Sequence, residues 1–122
     1  MIVADTMVWA DFISHGDDRL LDLLEREATL MHPYVRGELS LGNLANRVVV
    51  LTDLDKLPAA PVARHDEVLG LIENARLFGT GVGFVDVHLL ASTLLVADGR
   101  LWTRDRRLHA AAEQLGIVAL HT

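Results

Sequence analysis

The chain has 122 residues, enough for one compact domain and too few for two. Apolar residues make up 51% and charged residues 23%, which supplies a core and excludes a disordered chain. There is no cysteine, so disulfides, thiolate metal sites and cysteine nucleophiles are excluded, and the net charge of −6 argues against a passive nucleic-acid binder.

The N-terminus lacks a basic segment followed by an apolar one, so no signal peptide is expected. No apolar run approaches the roughly 20 residues of a membrane-spanning helix. A cytoplasmic protein without membrane contact is the expectation. Met1–Ala4 is a short apolar run closed by Asp5 and reads as a buried strand. Thr6 can cap a helix that carries Val8, Trp9, Phe12 and Ile13 on one face. The Asp17–Asp18 pair opens a second helix through Leu20, Leu21, Leu23 and Leu24. Ala28–His32 reads as a second strand.

Pro33 suits the first turn of a third helix, where its missing N–H costs nothing. That helix carries Val35, Glu38, Leu39 and Leu41, and Gly42 ends it. Leu44–Leu57 is ambiguous: Val48, Val49 and Val50 favour a strand, while Leu51, Leu54 and Leu57 suit a helix. Pro58–Pro61 is a loop. Arg64–Phe78 forms an amphipathic helix through Val68, Leu69, Leu71, Ile72 and Ala75. Gly79, Gly81 and Gly83 make a turn, and no Lys-Ser/Thr pair follows to make it a phosphate loop. Val85–Ala97 is apolar on nearly all sides, as a buried helix is. Leu101–Thr103 is a strand, Arg106–Leu115 a helix, and Ile117–Leu120 a last strand. Such alternation predicts a three-layer α/β/α domain over residues 1–122 around a mainly parallel sheet.

Four carboxylates stand at informative places in this pattern. Asp5 follows the first strand and Asp105 follows the strand Leu101–Thr103. Glu38 lies on the helix after the second strand, and Asp86 begins the most apolar helix. Ligand sites of open α/β sheets form outside the carboxyl ends of the strands. Clustered anions are unfavourable without cations, because like charges repel and their desolvation is costly. A hard divalent ion such as Mg²⁺ reverses that balance, since it prefers oxygen ligands. Such a set can hydrolyse a phosphodiester through metal-activated water. Each acid also has a plainer role: Asp5 and Asp105 as caps, Glu38 as a solvated helix residue, Asp86 as a charge favoured by the helix dipole.

Four segments carry a resemblance to PIN-domain ribonucleases of the VapC type, toxins of toxin–antitoxin pairs. Ile2-Val3-Ala4-Asp5-Thr6 looks like the family's strand-Asp-Ser/Thr opening, and Val35-Arg36-Gly37-Glu38-Leu39 like the segment with its Glu. Phe84-Val85-Asp86-Val87-His88 and Trp102-Thr103-Arg104-Asp105-Arg106 are similar to its third and fourth acidic motifs. The resemblance implies a PIN fold and an endoribonuclease dependent on Mg²⁺, with Mn²⁺ as a substitute. It implies a homodimer that cuts transfer or ribosomal RNA and is inhibited by a VapB-type antitoxin. Asp5, Glu38, Asp86 and Asp105 become catalytic, metal-holding carboxylates, and Thr6 and Thr103 hydroxyls that orient them. Many relatives place another acid two residues after the fourth, where this chain has Arg107.

Arg104, Arg106 and Arg107 form the densest basic cluster. Arg104 and Arg106 are candidates for holding RNA phosphates; the alternative is a solvated helix start paired with nearby acids. Trp9 and Trp102 could stack bases, but their elements favour core packing. His15, His32, His65, His88, His109 and His121 lack zinc-type spacing and read as structural or solvated. Two rivals remain: a catalytically silent PIN-like binding module, and a phosphoryl-accepting receiver. For the receiver, Val48–Pro58 would be a strand ending near a phosphorylated Asp53 or Asp55. Against it, Thr6 rather than a second acid follows Asp5, and Lys56, the only Lys, comes too early.

Overall fold

The computed structural model describes residues 1–119. Three short strands, β1 (Ile2–Ala4), β2 (Thr29–Leu30) and β3 (Arg100–Trp102), form a parallel sheet in the order β2-β1-β3. Val3 sits between Leu30 on one side and Leu101 on the other. Single bridges, Met31 with Ala59 and Leu101 with Val118, add one parallel step at each edge. The part of the expected last strand that is described is therefore this bridge, and Leu120 lies outside the described residues, as does His121.

β1 is central, and its two neighbours are reached by connections that leave in opposite directions. The crevice beyond its carboxyl end is thus a topological switch point, the place where open α/β sheets bind ligands. Strands buried on both faces read as continuous apolar runs, and Val3 and Leu101 are fully buried. The domain is a PIN-like α/β/α fold. Seven helices fill the connections among the described residues: α1 (Thr6–His15), α2 (Asp18–Glu25), α3 (Pro33–Ser40), α4 (Arg47–Asp55), α5 (His65–Asn74), α6 (Phe84–Leu94) and α7 (Arg106–Gln114). No described helix is long and apolar enough to cross a membrane.

The core runs through the sheet into α6, where every residue from Val87 to Thr93 is buried. Trp9 and Trp102 belong to this core, each 1% exposed. They pack rather than stack bases: Trp9 meets Phe12 edge-on at 6.1 Å, and the Arg19 guanidinium lies 4.9 Å from the Trp102 ring centre.

Three local expectations change. Asp5, not Thr6, caps α1, its carboxylate accepting from the Val8 N–H at 3.2 Å. The ambiguous segment is helical: Leu54 is buried and Leu51 packs on the core, while Val48 and Val49 stay exposed. Tertiary packing of the leucines overrides the local strand preference of the valines. A paired contact of Arg36 with Asp55, at 2.8 and 3.0 Å, ties α4 to α3. α5 stops at Asn74 rather than Phe78 because Arg76 turns left-handed, at φ 54°. The Leu77 and Arg76 N–H groups then close back onto the Ile72 and Glu73 carbonyls, a helix stop usually built on glycine. The helical course of 47–55 also removes the receiver reading. Asp53 and Asp55 end a helix, and their carboxylates pair with Lys56 and Arg36.

Candidate active site

Asp5 leaves the carboxyl end of β1, and its N–H still donates to the Trp102 carbonyl of β3 at 3.0 Å. That bond sets the first residues beyond the two strands side by side. Thr103, 2% exposed, donates its hydroxyl to Oδ2 of Asp5 and accepts from the Asp105 N–H at 3.0 Å. One hydroxyl thus orients two of the four acids. Asp105 caps α7 through Oδ1, which accepts from the Arg107 and Leu108 N–H groups at 2.9 and 3.1 Å. Capping therefore uses only one carboxylate oxygen: Oδ1 fixes the helix start and Oδ2 is left without a hydrogen-bond partner among the described residues.

Glu38 is exposed on α3 and accepts from the Thr6 hydroxyl at 2.5 Å. This contact joins α3 to the start of α1, beside Asp5. Asp86 is half-buried in the first turn of α6, with its carboxylate close to Gly83 at the helix start. Burial raises its pKa above the ordinary value, and the charges of Asp105, Asp5 and Glu38 add to the rise while the nearby Gly83 backbone N–H opposes it. Asp5 is likewise raised, chiefly by burial, with Thr103 and Val8 opposing and Asp105 adding. All four predicted acids therefore share one electrostatic neighbourhood, and two of them ionise against resistance. Among the described residues, no three Asp, Glu or His side chains converge closely enough to grip an ion unaided.

The basic cluster divides. Arg104 is held by Asp11 of α1 and by Asp17, the cap of α2, the latter at 3.1 Å. Neither acid carried a sequence signal as its partner, because 93 and 87 residues separate the pairs. Arg106 and Arg107 have no ion pair among the described residues and stay exposed. Arg106, with Arg19, Arg104 and His109, lines a cavity of about 370 Å³ next to Thr103.

His32 and His88 are buried, and Tyr34 stands edge-on between them, at ring distances of 5.0 and 4.8 Å. His32 caps α3, its Nδ1 accepting from the Tyr34 N–H at 3.0 Å. His88 instead packs edge-on against Tyr34 and Phe84, so both histidines sit in the protein's packing, in line with the structural reading.

Ribonuclease VapC32 of Mycobacterium tuberculosis, in strains CDC 1551 / Oshkosh and ATCC 25618 / H37Rv, is 47% identical to this chain over 117 residues. The match covers 96% of this chain and 94% of the relative. The chain belongs to the VapC ribonuclease family. No protein-family model matches it, and no solved structure does at a significant level. Membership accords with the four acidic motifs, and the VapC assignment rests on near full-length similarity rather than on any single motif.

Proposed function

We propose that this VapC-family protein is the endoribonuclease toxin of a toxin–antitoxin pair and hydrolyses RNA phosphodiester bonds with the help of Mg²⁺, for which Mn²⁺ substitutes. The observation that carries the reading is the near full-length similarity to Ribonuclease VapC32, and the hydroxyl contacts that gather Asp5, Glu38 and Asp105 at a sheet's switch point, with Asp86 in their electrostatic reach, support it. The donor set fits a hard divalent ion: all four side chains offer oxygen, and their mutual repulsion favours a cation among them. That no three converge tightly is compatible with Mg²⁺, which commonly takes one or two carboxylates and keeps several waters. Asp5, Glu38, Asp86 and Asp105 would hold the ion, one or two of them directly and the others through its waters. When bound, it supplies an activated water and neutralises charge at phosphorus.

The protein's own groups set the geometry. Thr103 fixes the rotamer of Asp5 and the start of α7, while Thr6 fixes Glu38. Arg106 would hold an RNA phosphate beside the acids, and Arg104 could join it only by leaving Asp11 or Asp17. Transfer or ribosomal RNA is the substrate class, and the protein acts as a cytoplasmic homodimer. A VapB-type antitoxin blocks the acidic crevice, where an antitoxin Arg would replace the ion's charge.

Purified, antitoxin-free protein incubated with end-labelled total RNA is expected to give discrete cuts with Mg²⁺ or Mn²⁺ and none with chelator. Folded protein that neither cuts RNA nor binds divalent ions would leave the silent binding module instead. Thr103→Val keeps the side chain's shape but removes its hydroxyl. It is expected to lower cleavage by about 10–100-fold, the usual loss when a partner of a ligating group is removed. Unchanged cleavage would remove Thr103 from the site.

A further inference from the structure

A second groove, of about 600 Å³, opens on the other flank of Asp105. Leu77 and Thr80 form one wall, and Asp105, Arg106 and Arg107 of the α7 start form the other. Arg107 occupies it in a defined way. Its side chain lies across Gly81, so closely that a Cβ on Gly81 would stand 2.9 Å from Cδ and from one guanidinium nitrogen. Gly81 also holds φ +87°, a conformation that side chains other than glycine's rarely take. The missing Cβ is what leaves room for the guanidinium, and the positive φ separately favours glycine at that turn.

The charge pattern gives this placement a direction. Five arginines, Arg19, Arg26, Arg36, Arg64 and Arg104, each sit against a carboxylate, and of the five that have no ion pair among the described residues only Arg106 and Arg107 flank Asp105. Arg107 has no ion pair among the described residues, although acids lie close by. Asp105 meets its backbone N–H rather than its guanidinium. A planar cation with five donors, laid against a loop and left without an anion, is suited to bidentate phosphate contact. In a chain of net charge −6, an RNA strand crossing the acidic crevice needs such contacts on its flanks.

We infer that Arg107, cradled by Gly81 in the groove beside Asp105, binds a backbone phosphate of the RNA adjoining the one that is cut. The inference rests on the nuclease reading and adds to it a substrate-binding residue. The adjoining phosphate, rather than the reacting one, is assigned because Arg107 lines only the flank beyond Asp105, whereas Arg106 lines both cavities.

The test uses a fluorescent, mixed-sequence single-stranded oligoribonucleotide, with Ca²⁺ in place of Mg²⁺ for binding, and target RNA with Mg²⁺ for cleavage. Arg107→Gln is expected to weaken binding and raise KM by about tenfold, with kcat within about threefold. The slope of log affinity against log salt is expected to fall by about 0.7, one phosphate contact on a single strand. Arg107→Lys should recover part of the affinity. Gly81→Ala, which leaves Arg107 in the chain but pushes its guanidinium aside, should reproduce the loss. Mn²⁺ affinity should be unchanged in all three. Unchanged RNA affinity and salt slope in Arg107→Gln, with wild-type protein binding and cutting RNA, would overturn this inference alone. Altered Mn²⁺ affinity would also overturn it and make Arg107 part of the metal site. Wild-type protein that neither binds nor cuts RNA would overturn the nuclease reading and this inference together.

Discussion

Asp86→Asn is expected to reduce metal-dependent RNA cleavage by on the order of 10²–10³, the scale of losing one preorganised electrostatic group. The same change should leave the protein at least as stable as wild type at neutral pH. The two halves of this result have one cause. Asp86 is half-buried and faces the charges of Asp105, Asp5 and Glu38, so its pKa is raised. A carboxyl whose folded pKa lies above its unfolded value binds more protons in the native state between those two values. Stability then falls as pH rises through the folded pKa, and the penalty is complete above it. Asn removes that penalty while keeping an oxygen beside the Gly83 backbone N–H.

Divalent ions separate this explanation from a purely structural one. Mg²⁺ or Mn²⁺ should raise the melting temperature of the wild type, because a ligand of the native state stabilises by mass action. It should raise that of Asp86→Asn much less. A variant that is both inactive and clearly less stable would show that Asp86 serves packing instead. Asp5→Asn makes the useful contrast. It should be equally inactive, but Asp5 accepts from both Thr103 and Val8. An amide presents an N–H where one of those donors points, so part of the stability gain is lost.

The sequence discloses the acids more readily than their arrangement. Asp5 and Asp105 are legible because each ends an apolar strand, and the alternation of strands and helices places both at one sheet edge. Nothing local says that Thr103 joins them, since that contact spans 98 residues. The α4 segment shows the opposite limit. Three consecutive valines favour a strand, and only the burial of Leu54 against the fold decides for a helix. The end of α5 was hidden because Arg76 takes the left-handed turn that glycine usually signals. Arg104 is the instructive case within the basic cluster. In sequence it stands with Arg106 and Arg107, yet in space two distant acids claim it. The charge cluster is local, but which of its members remains available is settled by tertiary pairing.

Between pH 7 and pH 5 the protein is expected to lose about 2 kcal/mol of stability through His32 alone, a value that follows from its pKa falling from 6.5 to about 4 on folding. Burial is the larger cause and the neighbouring His88 the smaller. The sign is that of a histidine kept neutral in the native state. Below pH 6.5 the unfolded chain takes up the proton first, so stability falls as pH drops and the loss levels off near the folded pKa of about 4. The geometry supplies a second reason. Nδ1 already accepts from the Tyr34 N–H, and Nε2 has no partner in its buried position. Protonation would place a hydrogen on the atom that caps α3 and leave a buried charge without a counter-ion. Asp5 and Asp86 act in the opposite direction, since their raised pKa values relieve a penalty as pH falls. The comparison must therefore be made between variants. His32→Asn retains a side-chain acceptor for the cap but does not titrate. It should be less stable than wild type at pH 7, where the smaller side chain leaves a void. Its further loss on going to pH 5, measured by urea unfolding, should be smaller than the wild type's by about 2 kcal/mol. Equal losses in the two proteins would show that His32 does not govern acid stability and that His88, also buried and lowered, is the group to replace next.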